Sequence, residues 1–154
     1  MSHGVYSDES PYISELENLF MRFPNAVLTL QSAYEYYGMS DYVPDKYVIA
    51  TSQNAHKINN SKVDQIYITN VLLDIGKTII NTQYGTINVY DKERLLIELF
   101  RFKNRISYNY YKEIVRSYRK LALQEQLDLN KLIKYCKYFA HGDDIKQRIQ
   151  EVIL

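Results

Sequence analysis

Asp91-Lys92-Glu93-Arg94, with Glu98 four residues beyond Arg94, places acids and bases close enough together for proton-transfer chemistry. Such chemistry also needs a nucleophile, a further base or a metal partner in reach, and the neighbouring sequence supplies none. The same residues make a good helix start. Asp91 stands at an N-cap position, Glu93 falls in the first turn where the helix dipole favours negative charge, and Arg94 and Glu98 share a face. The scaffold reading is the stronger one. Asp91, Arg94 and Glu98 are expected to organise the fold rather than to react.

Other constellations fail on spacing. His3, His56, His141 and Cys136 are scattered, and only Cys136 and His141, followed by Asp143 and Asp144, come near each other. A polar turn accounts for that group better than a metal site does. The five glycines form no phosphate-binding loop, and no nucleophile elbow is present. Asp64, Asp74 and Lys77, expected on adjacent strands, faintly suggest a magnesium-dependent, restriction-type nuclease centre. The Glu-x-Lys element of such a centre is missing, and Asp74 and Lys77 flank a turn. No catalytic residue, metal or cofactor is expected, and the chain is read as non-enzymatic.

Binding is the better-supported expectation. The 154 residues are 46% apolar and 24% charged, enough for one folded domain. Net charge is +1, but residues 1–91 hold five Lys/Arg against ten Asp/Glu, whereas residues 92–154 hold fourteen against eight. The basic half suits an acidic protein or a phosphate backbone. Sixteen tyrosines cluster partly at Tyr34–Tyr37, Tyr108–Tyr111 and Tyr135–Tyr138. Aromatic rings among cations anchor protein interfaces or stack bases. The candidate contact residues are Tyr108, Tyr110, Tyr111, Lys112, Arg116, Arg119, Lys120, Lys134 and Lys137. One cysteine, no 18-residue apolar run and no signal-peptide pattern at the start point to a cytoplasmic protein with no membrane partner, monomeric or homodimeric.

The elements that must position these residues follow from periodicity. Ser14–Phe23 has helical apolar spacing and stops at Pro24. A short helix from Thr29 or Gln31 through Tyr37 is closed by Gly38. Strands are expected at Lys46–Thr51, Gln65–Thr69, Val71–Asp74, Lys77–Thr82 and Thr86–Tyr90, with hairpins at Asp74–Lys77 and Gln83–Thr86. From Asp91 the period becomes 3.6, with helices from Asp91, over Tyr108–Leu123, over Asp128–Phe139 and over Asp144–Val152. The expected fold is α+β: N-terminal helices, a small antiparallel or mixed sheet, and a C-terminal three- to four-helix bundle.

Two stretches carry a resemblance. Pro24–Ala33 (PNAVLTLQSA) with Tyr37-Gly38-Met39-Ser40-Asp41 and Val43-Pro44, and later Val89–Glu98 (VYDKERLLIE), resemble the core of AbiEi-family antitoxins of type IV toxin–antitoxin (abortive infection) systems. The resemblance covers nearly the whole chain. It implies that residues 1–10 are the remnant of a winged-helix wing or linker and that 11–154 form the antitoxin-like domain. It also implies a neutralising partner contact, in that family with a nucleotidyltransferase-like toxin. The DNA-binding winged helix that usually comes first is not seen, so operator binding is not carried over. Two alternatives remain beside it: a phage-encoded, anti-CRISPR-like inhibitor of a defence nuclease complex, and a nucleic-acid-binding module using the basic half.

Overall fold

The fold is a computed structural model that describes residues 11–154, so the expectation for residues 1–10 lies outside the described residues. It is α+β, and the chain divides into two units that meet in sequence between Tyr90 and Asp91.

In the first unit, helix α1 (Pro11–Arg22) buries Leu16, Leu19 and Phe20, the stripe that its periodicity marks. After Pro24 comes a two-residue strand, β1 (Val27–Leu28). Helix α2 (Leu30–Tyr36) follows, and Gly38 ends it at φ 70°. Met39 N–H donates to Tyr34 O at 2.9 Å there, so the left-handed glycine closes a Schellman-type cap. Strands β2 (Tyr47–Ser52) and β3 (Val63–Ile68), helix α3 (Asn70–Leu73), and strands β4 (Lys77–Asn81) and β5 (Thr86–Tyr90) complete the unit.

The sheet is mixed, in the order β3-β2-β1-β5-β4. β2 and β3 run parallel, as do β1 and β5, while β1–β2 and β4–β5 are antiparallel. Two expectations are corrected here. Val71–Asp74 is not a strand but lies mostly in the one-turn helix α3, and therefore only β4 and β5 form a hairpin. A run as short as VLLD fits a buried strand or a helical turn equally well, and its period cannot decide between them.

Buried polar groups in this unit join elements. Ser32, fully buried on α2, accepts from Val48 N–H at 2.8 Å and so ties the helix to β2. Asn88 on β5 donates to Pro24 O at 2.8 Å and to Ala26 O at 2.9 Å, holding the turn before β1. Tyr90, also buried, donates to Leu73 O at 2.6 Å. Each satisfies a carbonyl or amide that burial would otherwise leave costly.

The second unit is four helices: α4 (Lys92–Arg101), α5 (Tyr108–Leu123), α6 (Leu129–Cys136) and α7 (Gly142–Val152), with a 3-10 turn at Lys103–Arg105. α6 stops at Cys136, short of the expected Phe139. Beyond Cys136 the amides of Lys137, Tyr138 and Phe139 bond three residues back in a tightened turn, and at Gly142 an added Cβ would stand 1.8 Å from the carbonyl oxygen of Cys136. The chain doubles back so tightly that only glycine fits. No helix among the described residues is long and apolar enough to cross a membrane.

Candidate functional site

The start of α4 holds the charged run that the sequence singles out. Asp91 is the N-cap, and its Oδ1 accepts from Arg94 N–H at 2.8 Å. Its Oδ2 accepts from the Tyr135 hydroxyl at 2.7 Å and lies 3.4 Å from Lys131 Nζ. Glu93 is buried; its Oε2 accepts from Asp128 N–H at 3.0 Å, and its Oε1 lies 3.1 Å from Lys131 Nζ. Asp128 in turn caps α6 by accepting from Lys131 N–H at 3.0 Å. The N-termini of α4 and α6 are thus stitched together by two carboxylates and one ammonium.

Arg94 and Glu98 are 0% and 1% exposed, and Arg94 Nε lies 3.2 Å from Glu98 Oε1. Arg101 Nη1 reaches the same oxygen at 2.6 Å. The guanidinium carbons of Arg94 and Arg101 stand 5.1 and 4.8 Å from the centroid of the Phe139 ring. A buried carboxylate is therefore shared by two cations that both stack on one aromatic ring. This explains why so charged a helix can be buried along most of its length.

The titration behaviour follows from these contacts. Burial raises the Tyr135 hydroxyl well above its ordinary value of 10.0, with its hydrogen bond to Asp91 adding to the effect. Lys131 is also raised: burial lowers it, but the contacts with Glu93 and Asp91 outweigh that loss. The Cys136 thiol is raised by burial, which leaves it poorly nucleophilic.

The other chemical constellations do not assemble. Asp64 is on β3 and Lys77 on β4, at opposite edges of the sheet, and Lys77 pairs locally with Asp74 at 3.0 Å. Among the described residues, no group of three His, Cys, Asp or Glu side chains is placed to hold a metal ion.

The candidate contact residues separate by face. Along α5, Tyr111, Ile114, Val115 and Tyr118 point into the core. Lys112, Arg116, Arg119 and Lys120 lie on the other side and are exposed, beside Tyr108 at 66% exposure. Glu113, half-buried, is the single acid of this helix. Lys112 Nζ sits 4.9 Å from the Tyr108 ring centroid, so cation and ring form one contact patch. Arg119 is also fastened, with Nε donating to Val152 O at 2.7 Å at the end of α7.

Tyr111 is a correction. It is 8% exposed, packed edge-on against Phe100 with centroids 6.2 Å apart, and so belongs to the core rather than to a contact face. Tyr110 is half-buried. Lys134 and Lys137 are exposed but belong to α6 and its C-terminal cap, a separate helix.

Sequence reasoning missed Lys131, Tyr135 and Phe139 as parts of the α4 cluster, and it read Glu93 only as a first-turn charge. A carboxylate in a first turn reads as a dipole partner, and only the folded chain shows that it reaches a second helix. No family model matches the chain, and no curated protein matches it.

Proposed function

We propose that this chain is a non-enzymatic, protein-binding inhibitor that works as the neutralising domain of an AbiEi-type antitoxin does, by occupying an acidic surface of a nucleotidyltransferase-like toxin. The observation that carries the reading is the outer face of α5, where Lys112, Arg116, Arg119 and Lys120 form one basic stripe with the exposed Tyr108. Cations at i, i+4 and i+8 project from the same side of a helix, so an acidic partner meets them together. An exposed tyrosine at the end of such a stripe is the kind of anchor that concentrates binding energy.

Two further observations support it. The carboxylates at the start of α4 are engaged by caps, a hydroxyl and cations, which leaves them as scaffold. The two stretches that resemble the antitoxin family supply Ser32 and Asp91, which bond other elements of their own units, and Arg94 and Glu98, which pair with each other along α4.

The test is rescue from toxicity. The chain is co-expressed with a nucleotidyltransferase-like toxin of the abortive-infection class, and growth is scored for the wild type and for Arg116→Glu/Lys120→Glu. Rescue by the wild type and its loss in the variant, with both proteins equally folded, are expected. Rescue that survives the reversal overturns the assignment of this face. A gel-shift series against salt separates the nucleic-acid alternative, since phosphate contacts make affinity fall steeply as salt rises. Pull-down with a defence nuclease complex, but not with the nucleotidyltransferase, would favour the anti-CRISPR-like alternative.

A further inference from the structure

A cleft of about 450 Å³ opens in the first unit between α1 and the loop that joins β2 to β3. Its volume lies within the roughly 300–1,000 Å³ typical of small-molecule sites. Arg22, Lys57 and Lys62 line it, with Asn18, Asn59 and Asn60 between them and Leu19, Phe23, Ile58 and Tyr47 forming the apolar wall. Residues 1–91 hold only five Lys/Arg, against ten acids, and three of the five line this one cleft. An acidic segment that gathers most of its cations in a single concavity is unlike one that scatters them for solubility.

Among the described residues of the lining the one acid, Glu15, is occupied. It accepts from the Tyr47 hydroxyl and lies 3.7 Å from Lys62 Nζ. That leaves Arg22 and Lys57 without a carboxylate partner among the described lining residues. Arg22 stands with its guanidinium carbon 5.6 Å from the Phe23 ring centroid, so cation and aromatic face are offered together.

The geometry points to a binding site for a nucleoside phosphate in this cleft. Arg22 and Lys57 take the phosphate, which matches a guanidinium fork and a mobile ammonium. Phe23 and Tyr47 offer ring surface to a base. Asn18 and Asn59 present paired donors and acceptors of the kind that read base edges, while Asn60 Oδ1 accepts from Lys62 N–H at 2.9 Å and shapes the loop. This site is independent of the α5 face and stands or falls without it.

Calorimetric titration of the full chain at low salt, with adenosine, guanosine and uridine monophosphates, tests the assignment. Adenosine and inorganic phosphate serve as separate probes of the two halves of the ligand. Saturable binding of at least one nucleotide is expected, with the matching nucleoside and inorganic phosphate each weaker by about tenfold or more. Arg22→Gln/Lys57→Gln should weaken nucleotide binding by at least about tenfold with an unchanged melting temperature, because both side chains are exposed. Amide shifts on nucleotide addition should centre on Asn18, Asn59 and Asn60. No saturable binding at millimolar nucleotide would overturn the site. So would affinity indifferent to the double substitution, and inorganic phosphate binding as tightly as nucleotide would reduce it to an anion site.

Discussion

At the start of α4, Asp91, Glu93, Arg94 and Glu98 each meet a partner within residues 91–154, and three of the four are almost wholly removed from water. Along the outer face of α5, Lys112, Arg116 and Lys120 stand in solvent with a tyrosine beside them. Both helices are charged and amphipathic, and each carries an apolar stripe. The difference is what lies opposite. α4 is packed against by α6 and α7 and has Tyr118 of α5 donating to Lys92 O, so its charges had to be matched. α5 keeps one side open, so its charges are left for another molecule. Buried charge fixes a fold, and exposed charge on a rigid face is available for recognition.

The sharpest way to break that contrast is to remove one member of the buried set. The cost of Arg94→Met should fall toward the lower end of about 3–5 kcal/mol, because Glu98 loses its fully buried partner and keeps only Arg101; chemical denaturation measures it. Arg94→Met/Glu98→Met should cost less than the single change, and a cost equal to or above it would mean that the pair does more than neutralise itself. Gly142→Ala comes next, at roughly 1–3 kcal/mol, since its Cβ collides with the Cys136 carbonyl and α7 must shift; the melting temperature reports it. Asp91→Ala removes a cap and the acceptor for Tyr135, and should cost about 1–2 kcal/mol.

Alkaline pH probes the same cluster without mutation. Tyr135 and Lys131 are both raised on folding above ordinary values of 10.0 and 10.5. Their stabilisation is complete below those unfolded values and is lost as pH climbs through the folded ones. Stability measured from pH 8 to 11 should therefore fall at the alkaline end, and Tyr135→Phe should fall less steeply. At the other extreme, Arg116→Glu/Lys120→Glu should change stability by no more than about 0.5 kcal/mol per site while abolishing rescue. A large loss of stability there would erase the distinction between the two faces.

The sequence shows α4 and α5 well, because each keeps an apolar stripe at helical period over more than two turns and each begins with a side-chain cap, Asp91 or Ser107. Gly38 was equally legible as a stop. α3 was not, since four apolar residues carry no usable period. Nor was the parallel pairing of β2 with β3, which a polar ten-residue connection without a helix does not announce. At the candidate face, the basic character and the helix were readable. Which tyrosines faced outward was not: Tyr108 and Tyr111 differ by three positions, close to one turn, and the packing of Phe100 decides which is covered. The reach of Glu93 to Asp128 and of Tyr135 to Asp91 depends on how α6 returns to α4, a property of the loop rather than of either helix.

The two-residue strand at the middle of the sheet has a consequence for biosynthesis. Leu28 is bounded on one side by Ile49 and on the other by Val89. A nascent chain therefore makes the first neighbour early and must wait until nearly the whole unit has been translated for the second. Until Val89 arrives, Val27 and Leu28 have an open flank, and a chain halted before that point lacks the middle seam of its own sheet. Closing a contact so distant in sequence is slow, which places the birth of this unit, more than its finished state, under the care of whatever shields apolar strands in the cell.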